Sequence, residues 1–328
     1  MAAAWVMVAN RSPQRNGNLM SPYRLRACAA RGLAIVVIIS LSTLSQASAS
    51  EGAPIPDPVA DSISTRAETG FPTARTTGVP RGWAPQRTVY GDVRVTDPGS
   101  EISDVRIVRG DLIIDAPDVT VRRVELRGGR IENFPGATCQ TGLDIIDTTV
   151  RPARGQQTSG DVPSIGTGGY TATGVKIVGT PEGFRVGGKS ACGGVVIQRS
   201  FVRVVSPDIC EDWHGDALQG YDGGDLVLRD SVLRLVERDG CGGTAPFFYP
   251  ADQGNSSVDI DGLVVAGGGY AFRLGQPGTV RRLYVETGSG FYGPTDVTCS
   301  LLGAWEASIS ALGADGQPTT GTALPCTT

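Results

Sequence analysis

From about residue 85 onward, apolar and polar positions alternate in short runs, and the runs recur. Asp92-Val-Arg-Val95 returns as Asp111-Leu-Ile-Ile114, and Ser103-Asp-Val-Arg-Ile107 returns as Arg122-Arg-Val-Glu-Leu126, both at an offset of 19 residues. Alternation with period two buries one face of a strand, and β-branched residues fill the buried positions. A unit of about 20 residues holding two such strands is one turn of a solenoid. Further on the spacing loosens while the pattern survives. Val195-Val-Ile-Gln-Arg-Ser-Phe-Val-Arg-Val-Val205 matches Leu226-Val-Leu-Arg-Asp-Ser-Val-Leu-Arg-Leu-Val236 position by position, 31 residues later. Gly174-Val-Lys-Ile-Val178 precedes this pair, and Val258-Asp-Ile-Asp-Gly-Leu-Val-Val and Val280-Arg-Arg-Leu-Tyr-Val continue it. Helical periodicity over ten or more residues appears nowhere in this stretch. The 46 glycines fall mostly between the runs, where corners need positive φ or close approach. An antiparallel sandwich has no reason to repeat an ordered strand pair at a rung period. The pattern therefore predicts an all-β fold, a single-stranded right-handed parallel β-helix of about eight to ten rungs.

The first fifty residues break this pattern. They hold five arginines and no acid, followed by an apolar run from Leu33 to Leu44 and the small-residue sequence Ala47-Ser48-Ala49. A run of about 12 residues is too short to span a bilayer, and these are the marks of a signal peptide, residues 1–49, cleaved after Ala49. Residues 50–80, rich in Pro, Ala, Ser, Thr and Asp, read as a flexible leader. Residues 81–328 suit one elongated β-helix domain with a disulfide-tied C-terminal tail. The expected product is secreted and extracellular, monomeric, and free of the membrane once the signal is removed.

Charge narrows the partners. Of 29 basic residues, loss of the five in the signal leaves 24 against 33 acids, a net charge of −9. Counterion-driven nucleic-acid binding needs a basic surface, so nucleic acid is not an expected partner. Arginine stays plentiful, which leaves room for a local anion-binding pocket.

Cys28 leaves with the signal, and six cysteines stay: Cys139, Cys192, Cys210, Cys241, Cys299 and Cys326. An even count in an exported chain favours disulfides. Cys210 follows Val205 by five residues and Cys241 follows Val236 by five, so both hold one position on consecutive rungs. Strands in neighbouring rungs lie about 4.8 Å apart, within the reach of a disulfide. Cys210–Cys241 is therefore expected, with Cys299–Cys326 tying the tail and Cys139–Cys192 following by elimination. There is no CxxC and His214 is the lone histidine, which argues against a structural zinc site.

A second ladder precedes the strands. Glu182-Gly-Phe-Arg185, Asp216-Ala-Leu-Gln219, Tyr270-Ala-Phe-Arg273 and Ser289-Gly-Phe-Tyr292 share the order polar, small, apolar, polar. The apolar residue should face the core and the polar ones the surface or a corner. Stacking then gathers Glu182, Asp216 and Tyr270 in one column, and Arg185, Gln219 and Arg273 in another. Around Asp216 the segment Cys210-Glu-Asp-Trp-His-Gly-Asp-Ala-Leu-Gln-Gly220 concentrates acids, His214 and Trp213. Carboxylates, arginines and aromatic rings on one face suit a saccharide. Trp213 serves equally as core cover or as a stacking surface. Asp208, Glu211 and Asp212 either solvate a loop or hold Ca²⁺, which prefers oxygen ligands; no other cofactor is expected.

The rung His214-Gly-Asp-Ala-Leu-Gln219, with Glu182-Gly-Phe-Arg185 one rung earlier, resembles the H-x-D-G-I-Q rung of secreted actinobacterial β-helix proteins in the pectate-lyase-like superfamily. The resemblance spans roughly residues 85–300 as pattern, and its specific part is about ten residues. Asp216-Ala-Leu-Gln is also similar to the Asn-Thr-Asp-Gly rung of polygalacturonases. Ala217 replaces the glycine there, and the paired aspartates and Gly-His-Gly of that family are absent, so its activity does not carry over. The superfamily implies a polysaccharide lyase, a glycoside hydrolase or a glycan- or cell-wall-binding protein without turnover. A hydrolase would use Glu182 and Asp216 as its carboxyl pair. A lyase would use His214 or Arg185 as base, and Gln219, Tyr270, Arg273 and Trp213 would contact substrate.

Overall fold

The computed structural model describes residues 70–327, apart from 137, 161, 189–191 and 212. The expected signal peptide and residues 50–69 of the leader lie outside the described residues. The alternating runs form short strands that stack coil upon coil, and each pairing between successive coils is parallel. Each coil contributes to three stacks. Sheet 1 begins at Arg87–Tyr90, sheet 2 at Val93–Val95 and sheet 3 at Glu101–Ser103, and the order then repeats. Val93 pairs with Leu112 and Arg106 with Glu125, the offset of 19 read from the sequence. Val195 pairs with Leu226 and Val205 with Val236, the offset of 31. Sheet 2 contains nine strands, and the chain is a parallel β-helix within the expected range of rungs.

Each coil holds three strands where the sequence suggested two. The bend from sheet 3 into sheet 1 uses a single residue with positive φ: Asp104, Arg123, Asp147, Arg199, Asp230 and Arg282, at 40° to 55°. Gly174 and Gly262 occupy the same place in two further coils. One residue barely interrupts the alternation, so the two strands read as one run, and Leu226–Val236 is continuous across the bend. Left-handed backbone costs a non-glycine residue about 1 kcal/mol. Here the bend residues alternate in sign up the stack and pair: Arg123 meets Asp104 at 2.7 Å and Arg282 meets Asp230 at 2.9 Å.

Just past the bend, Thr148, Ser200 and Ser231 point inward and are buried. Each hydroxyl donates to the carbonyl two residues back, at 2.8 to 3.0 Å. Each also accepts an amide hydrogen from the preceding coil, at 3.2 to 3.3 Å. These buried hydroxyls are thus satisfied, as the interior requires.

Stacked apolar residues fill the lumen. Ile107, Leu126, Val150, Ile177, Val202, Leu233 and Leu283 line sheet 1, while Leu112, Ile131, Ile165, Phe184, Leu218, Phe247 and Phe272 line sheet 2, all fully buried. Full burial of such a side chain contributes about 1.5–3 kcal/mol, so the column is the main stabilising element. Phe247 and Phe272 lie 4.5 Å apart and nearly parallel. The last coil is covered by the tail: Thr322–Ala323 adds antiparallel to Leu302–Ser310, and Trp305 donates to the Leu324 carbonyl at 2.8 Å.

Residues 70–80, assigned above to the leader, pack along the outside of sheet 1. The Phe71 ring meets Tyr284 edge-on at 5.5 Å, the Gly78 amide donates to Gly174 O at 2.7 Å, and the Val79 amide donates to Thr149 Oγ1 at 3.0 Å. Trp83 continues the strap, lying under Arg106 and donating to Asp104. All three expected disulfides form, with Cα separations of 5.0, 5.8 and 5.8 Å for Cys139–Cys192, Cys210–Cys241 and Cys299–Cys326. They fit an oxidising environment. Among the described residues no helix is long and apolar enough to cross a membrane.

Candidate functional site

Phe184, Leu218, Phe247 and Phe272 pair in register along sheet 2. Two residues earlier, the same register places Glu182, Asp216, Ala245 and Tyr270 in one column. Glu182, Asp216 and Tyr270 therefore share it, with the rung Ala245-Pro-Phe-Phe248 interposed between the last two. That rung escaped the sequence ladder because its first position is apolar. Ser289-Gly-Phe-Tyr292 does not belong to the ladder: the strand in that place is Gly293–Val297, with Thr295 opposite Phe272.

Glu182 and Asp216 are each 1% exposed. The expectation that the ladder's polar residues sit at the surface fails for these two. Both share the inward parity of Phe184 and Leu218, and one oxygen of each is used by the wall. Glu182 Oε1 accepts the Asp216 amide hydrogen at 3.2 Å, and Asp216 Oδ1 accepts the Ala245 amide hydrogen at 3.0 Å. The Gly183 amide donates to Asp216 O at 2.9 Å, so side chain and main chain clasp the same two rungs. The device recurs on the outer side, where Asp92 accepts from the Asp111 amide and Asp111 from the Arg130 amide, at 2.9 and 3.0 Å.

His214 is exposed two residues from Asp216. Trp213 is buried and belongs to the core. Its indole donates to Pro181 O at 3.2 Å and folds over Gly215, where a Cβ would fall 1.9 Å from the ring. Trp213 therefore covers the core and has no open face for a sugar. Asp208 accepts from the Thr158 amide and hydroxyl, at 2.9 and 3.1 Å, and faces Arg238 at 3.4 Å. The Thr158 amide is the main cause that lowers its pKa. Asp208 thus fastens two loops together. Glu211 is exposed, Asp212 lies outside the described residues, and no group of three metal-ligating side chains gathers among the described residues.

Arg185, Gln219 and Arg273 do share one row, on the outer face of sheet 2, with Phe248 between the last two and Asp296 beyond. Arg273 lies over the Phe248 ring at 5.4 Å and meets Asp296 at 2.7 Å. The two predicted columns thus occupy opposite faces of one wall, acids inside and arginines outside.

The strongest concentration of charge is on sheet 1, and sequence reasoning missed it. Arg127 pairs with Arg151 and Arg203 with Arg234 in register, placing four arginines in one outward row. Arg106, Glu125, Thr149, Lys176 and Phe201 occupy the neighbouring row. Between these rows and the strap lies a groove of about 530 Å³, lined by Arg151, Lys176, Arg203 and Arg234 and walled by Ala74 and Val79. Glu125 sits at one end, meeting Arg106 at 2.6 Å, Arg151 at 2.7 Å and Arg127 at 3.0 Å. Burial pushes its pKa up, but hydrogen bonds from Arg127, Arg106 and Arg151 overcome this and hold it at about 2. Burial lowers the pKa of Lys176. Six cations thus face two carboxylates, Glu125 and Glu286, the latter bound to Arg234 at 2.7 Å. The signal was present as Glu125-Leu-Arg127, Thr149-Val-Arg151, Phe201-Val-Arg203 and Val232-Leu-Arg234, one arginine at the same strand position in four coils, with Val178 in that place on the coil between Arg151 and Arg203.

Comparison of the chain with protein-family models, with curated proteins and with solved structures returned no match.

Proposed function

We propose that this chain is an exported β-helix protein that binds an acidic polysaccharide along the outer face of sheet 1, without turning it over. The observation that carries the reading is the row of Arg127, Arg151, Arg203 and Arg234 above a groove of about 530 Å³. Rungs repeat at about 4.8 Å, so the row presents two pairs of cations on successive rungs, separated by the rung that carries Val178. A polymer of sugar acids carries one carboxylate per ring and meets such a row along its length. Guanidinium groups suit carboxylates because they bind them through paired hydrogen bonds. The excess of acids over bases in the whole chain keeps this attraction local and disfavours nucleic acid.

The resemblance of the His214 rung to the pectate-lyase-like superfamily supports a glycan ligand, and the disulfides with the signal-like N-terminus support export. The catalytic alternative, a lyase or glycoside hydrolase built on Glu182, Asp216, His214 and Arg185, is less favoured. Its carboxyl pair is closed off from solvent, and one oxygen of each accepts a backbone amide hydrogen of the wall.

Affinity electrophoresis through gels containing polygalacturonate, alginate or neutral xylan tests the reading. The expected result is retardation by the acidic polymers, weakening as salt rises, and loss of most of it in the Arg203→Gln, Lys176→Gln double variant. Incubation should release neither reducing ends nor unsaturated products. Passage through all gels without retardation overturns the binding reading, and unsaturated product replaces it with a lyase.

A further inference from the structure

Beyond the arginine row, a cluster of exposed rings lies on the turn that leads from the sheet 1 strand Gly278–Glu286 to the sheet 2 strand Gly293–Val297. Phe291 is 86% exposed and Tyr292 71% exposed. Their rings meet edge to face at 5.0 Å, and Tyr292 lies 5.8 Å from Tyr270. Water strongly disfavours so much exposed aromatic surface, and a concentrated patch of it marks a site of contact. The segment carrying the rings is fixed in place. The Phe291 amide donates to Gly268 O at 2.9 Å and the Tyr292 amide to Gly269 O at 2.7 Å. The rings are therefore presented by backbone pairing to the preceding coil and not by a loose loop.

Phe291 also lines a second groove, of about 420 Å³, together with Arg234, Glu237, Glu286 and Ser289. Arg234 lines this groove and the cationic one. The two grooves thus meet at Arg234, and the path leads from Arg151 past Arg203 and Arg234 off the edge of sheet 1 to Phe291. An apolar protein partner would want a broad dry surface around the rings. The surroundings are instead mixed, with glycine backbone, the Thr287 and Ser289 hydroxyls and three charged side chains set among Leu235, Val236 and Ala266. That mixture of ring faces and hydrogen-bonding groups fits a pyranose, whose C–H face stacks on an aromatic ring while its hydroxyls seek polar partners.

We infer that Phe291 and Tyr292, with Tyr270 behind them, form a stacking platform for pyranose rings of the polymer bound along sheet 1. The inference rests on the binding reading above and adds to it a site whose contribution does not depend on charge. Arginine contacts weaken with salt, whereas ring stacking does not.

The test compares wild type with Phe291→Ala, Tyr292→Ala on polygalacturonate gels across a salt series. Saturation-transfer NMR with two short probes, cellohexaose and trigalacturonate, accompanies it. Both substitutions are on exposed side chains, and a circular dichroism spectrum checks that the fold is kept. The expected result is roughly tenfold weaker retardation, most evident at high salt, with saturation transfer to cellohexaose lost and that to trigalacturonate reduced. Retardation of the double variant equal to wild type at every salt concentration overturns the platform while leaving the arginine groove standing. Absence of saturation transfer from wild-type protein to both oligosaccharides overturns the platform whatever the gels show. Saturation transfer that the ring substitutions abolish, together with no retardation by acidic polymer, supports the platform and removes the cationic groove.

Discussion

Glu182 Oε1 accepts the amide hydrogen of Asp216 at 3.2 Å, so a carboxylate on one rung completes the backbone hydrogen bonding of the next. Asp216 repeats the relationship towards Ala245. Replacing Asp216 by Ala leaves the Ala245 amide buried without its acceptor, at a cost of about 1–3 kcal/mol. Asp216→Asn keeps an acceptor oxygen and should cost less. Thermal unfolding should therefore rank wild type above Asp216→Asn and Asp216→Asn above Asp216→Ala, with polymer retardation unchanged in both. Equal melting temperatures would show that the wall does not depend on this bond.

The repeat was readable because strand alternation and rung spacing are local properties of sequence. Val195 over Leu226 and Cys210 beside Cys241 followed directly from the alignment. Burial of Glu182 and Asp216 was not readable in the same way. A polar residue at the edge of a strand is compatible with either parity, and an amide acceptor inside the wall leaves no mark in composition. The arginine row was missed for a different reason: its members lie 24, 52 and 31 residues apart along the chain, and only the stacking register brings them together.

Glu125 gives the protein an acid-sensitive point. Its pKa falls from 4.5 to about 2 in the folded protein. A depressed pKa contributes stability that is fully present above the unfolded value and is lost as pH falls through the folded one. The window is thus about pH 4.5 down to about 2, and the amount is roughly 3 kcal/mol. Glu125→Gln should remove this pH dependence, lower stability at neutral pH by a similar amount, and tighten binding of polygalacturonate by releasing three arginines. Denaturant midpoints between pH 2 and pH 7 check the first two, and gel retardation the third. Wild type and Glu125→Gln with parallel pH profiles would contradict the assignment.

The bends between sheets 3 and 1 make a second stability prediction. Asp230 has φ of 40° and pairs with Arg282 at 2.9 Å. Asparagine and glycine adopt left-handed backbone readily, whereas a β-branched residue does so at a cost. Asp230→Gly and Asp230→Asn should each lie within about 1 kcal/mol of wild type, the loss of an exposed ion pair being small. Asp230→Val should lose about 1–2 kcal/mol more. Urea midpoints that place Val beside Asn would mean that the bend adjusts its backbone without strain.

Cys210–Cys241 joins loops on successive coils, 31 residues apart in sequence. A disulfide of this kind contributes typically 2–4 kcal/mol. How that loss is distributed depends on what else holds the loop. Cys241 is buried against the core, whereas Cys210 is exposed. The loop before Asp216 is tied independently by Asp208 to Thr158 and by the Trp213 indole to Pro181 O. The strands on either side keep their full parallel pairing in both directions. In a solenoid, stability is approximately a sum over repeats and their interfaces, so a local cut stays local. The Cys210→Ser, Cys241→Ser double variant should therefore lose amide protection chiefly around residues 206–220, with sheet 2 strands far from this coil, such as Leu112–Ile114, exchanging as in wild type. Uniform loss of protection along the whole chain would show instead that the coils unfold as one cooperative unit and that this crosslink stabilises all of them.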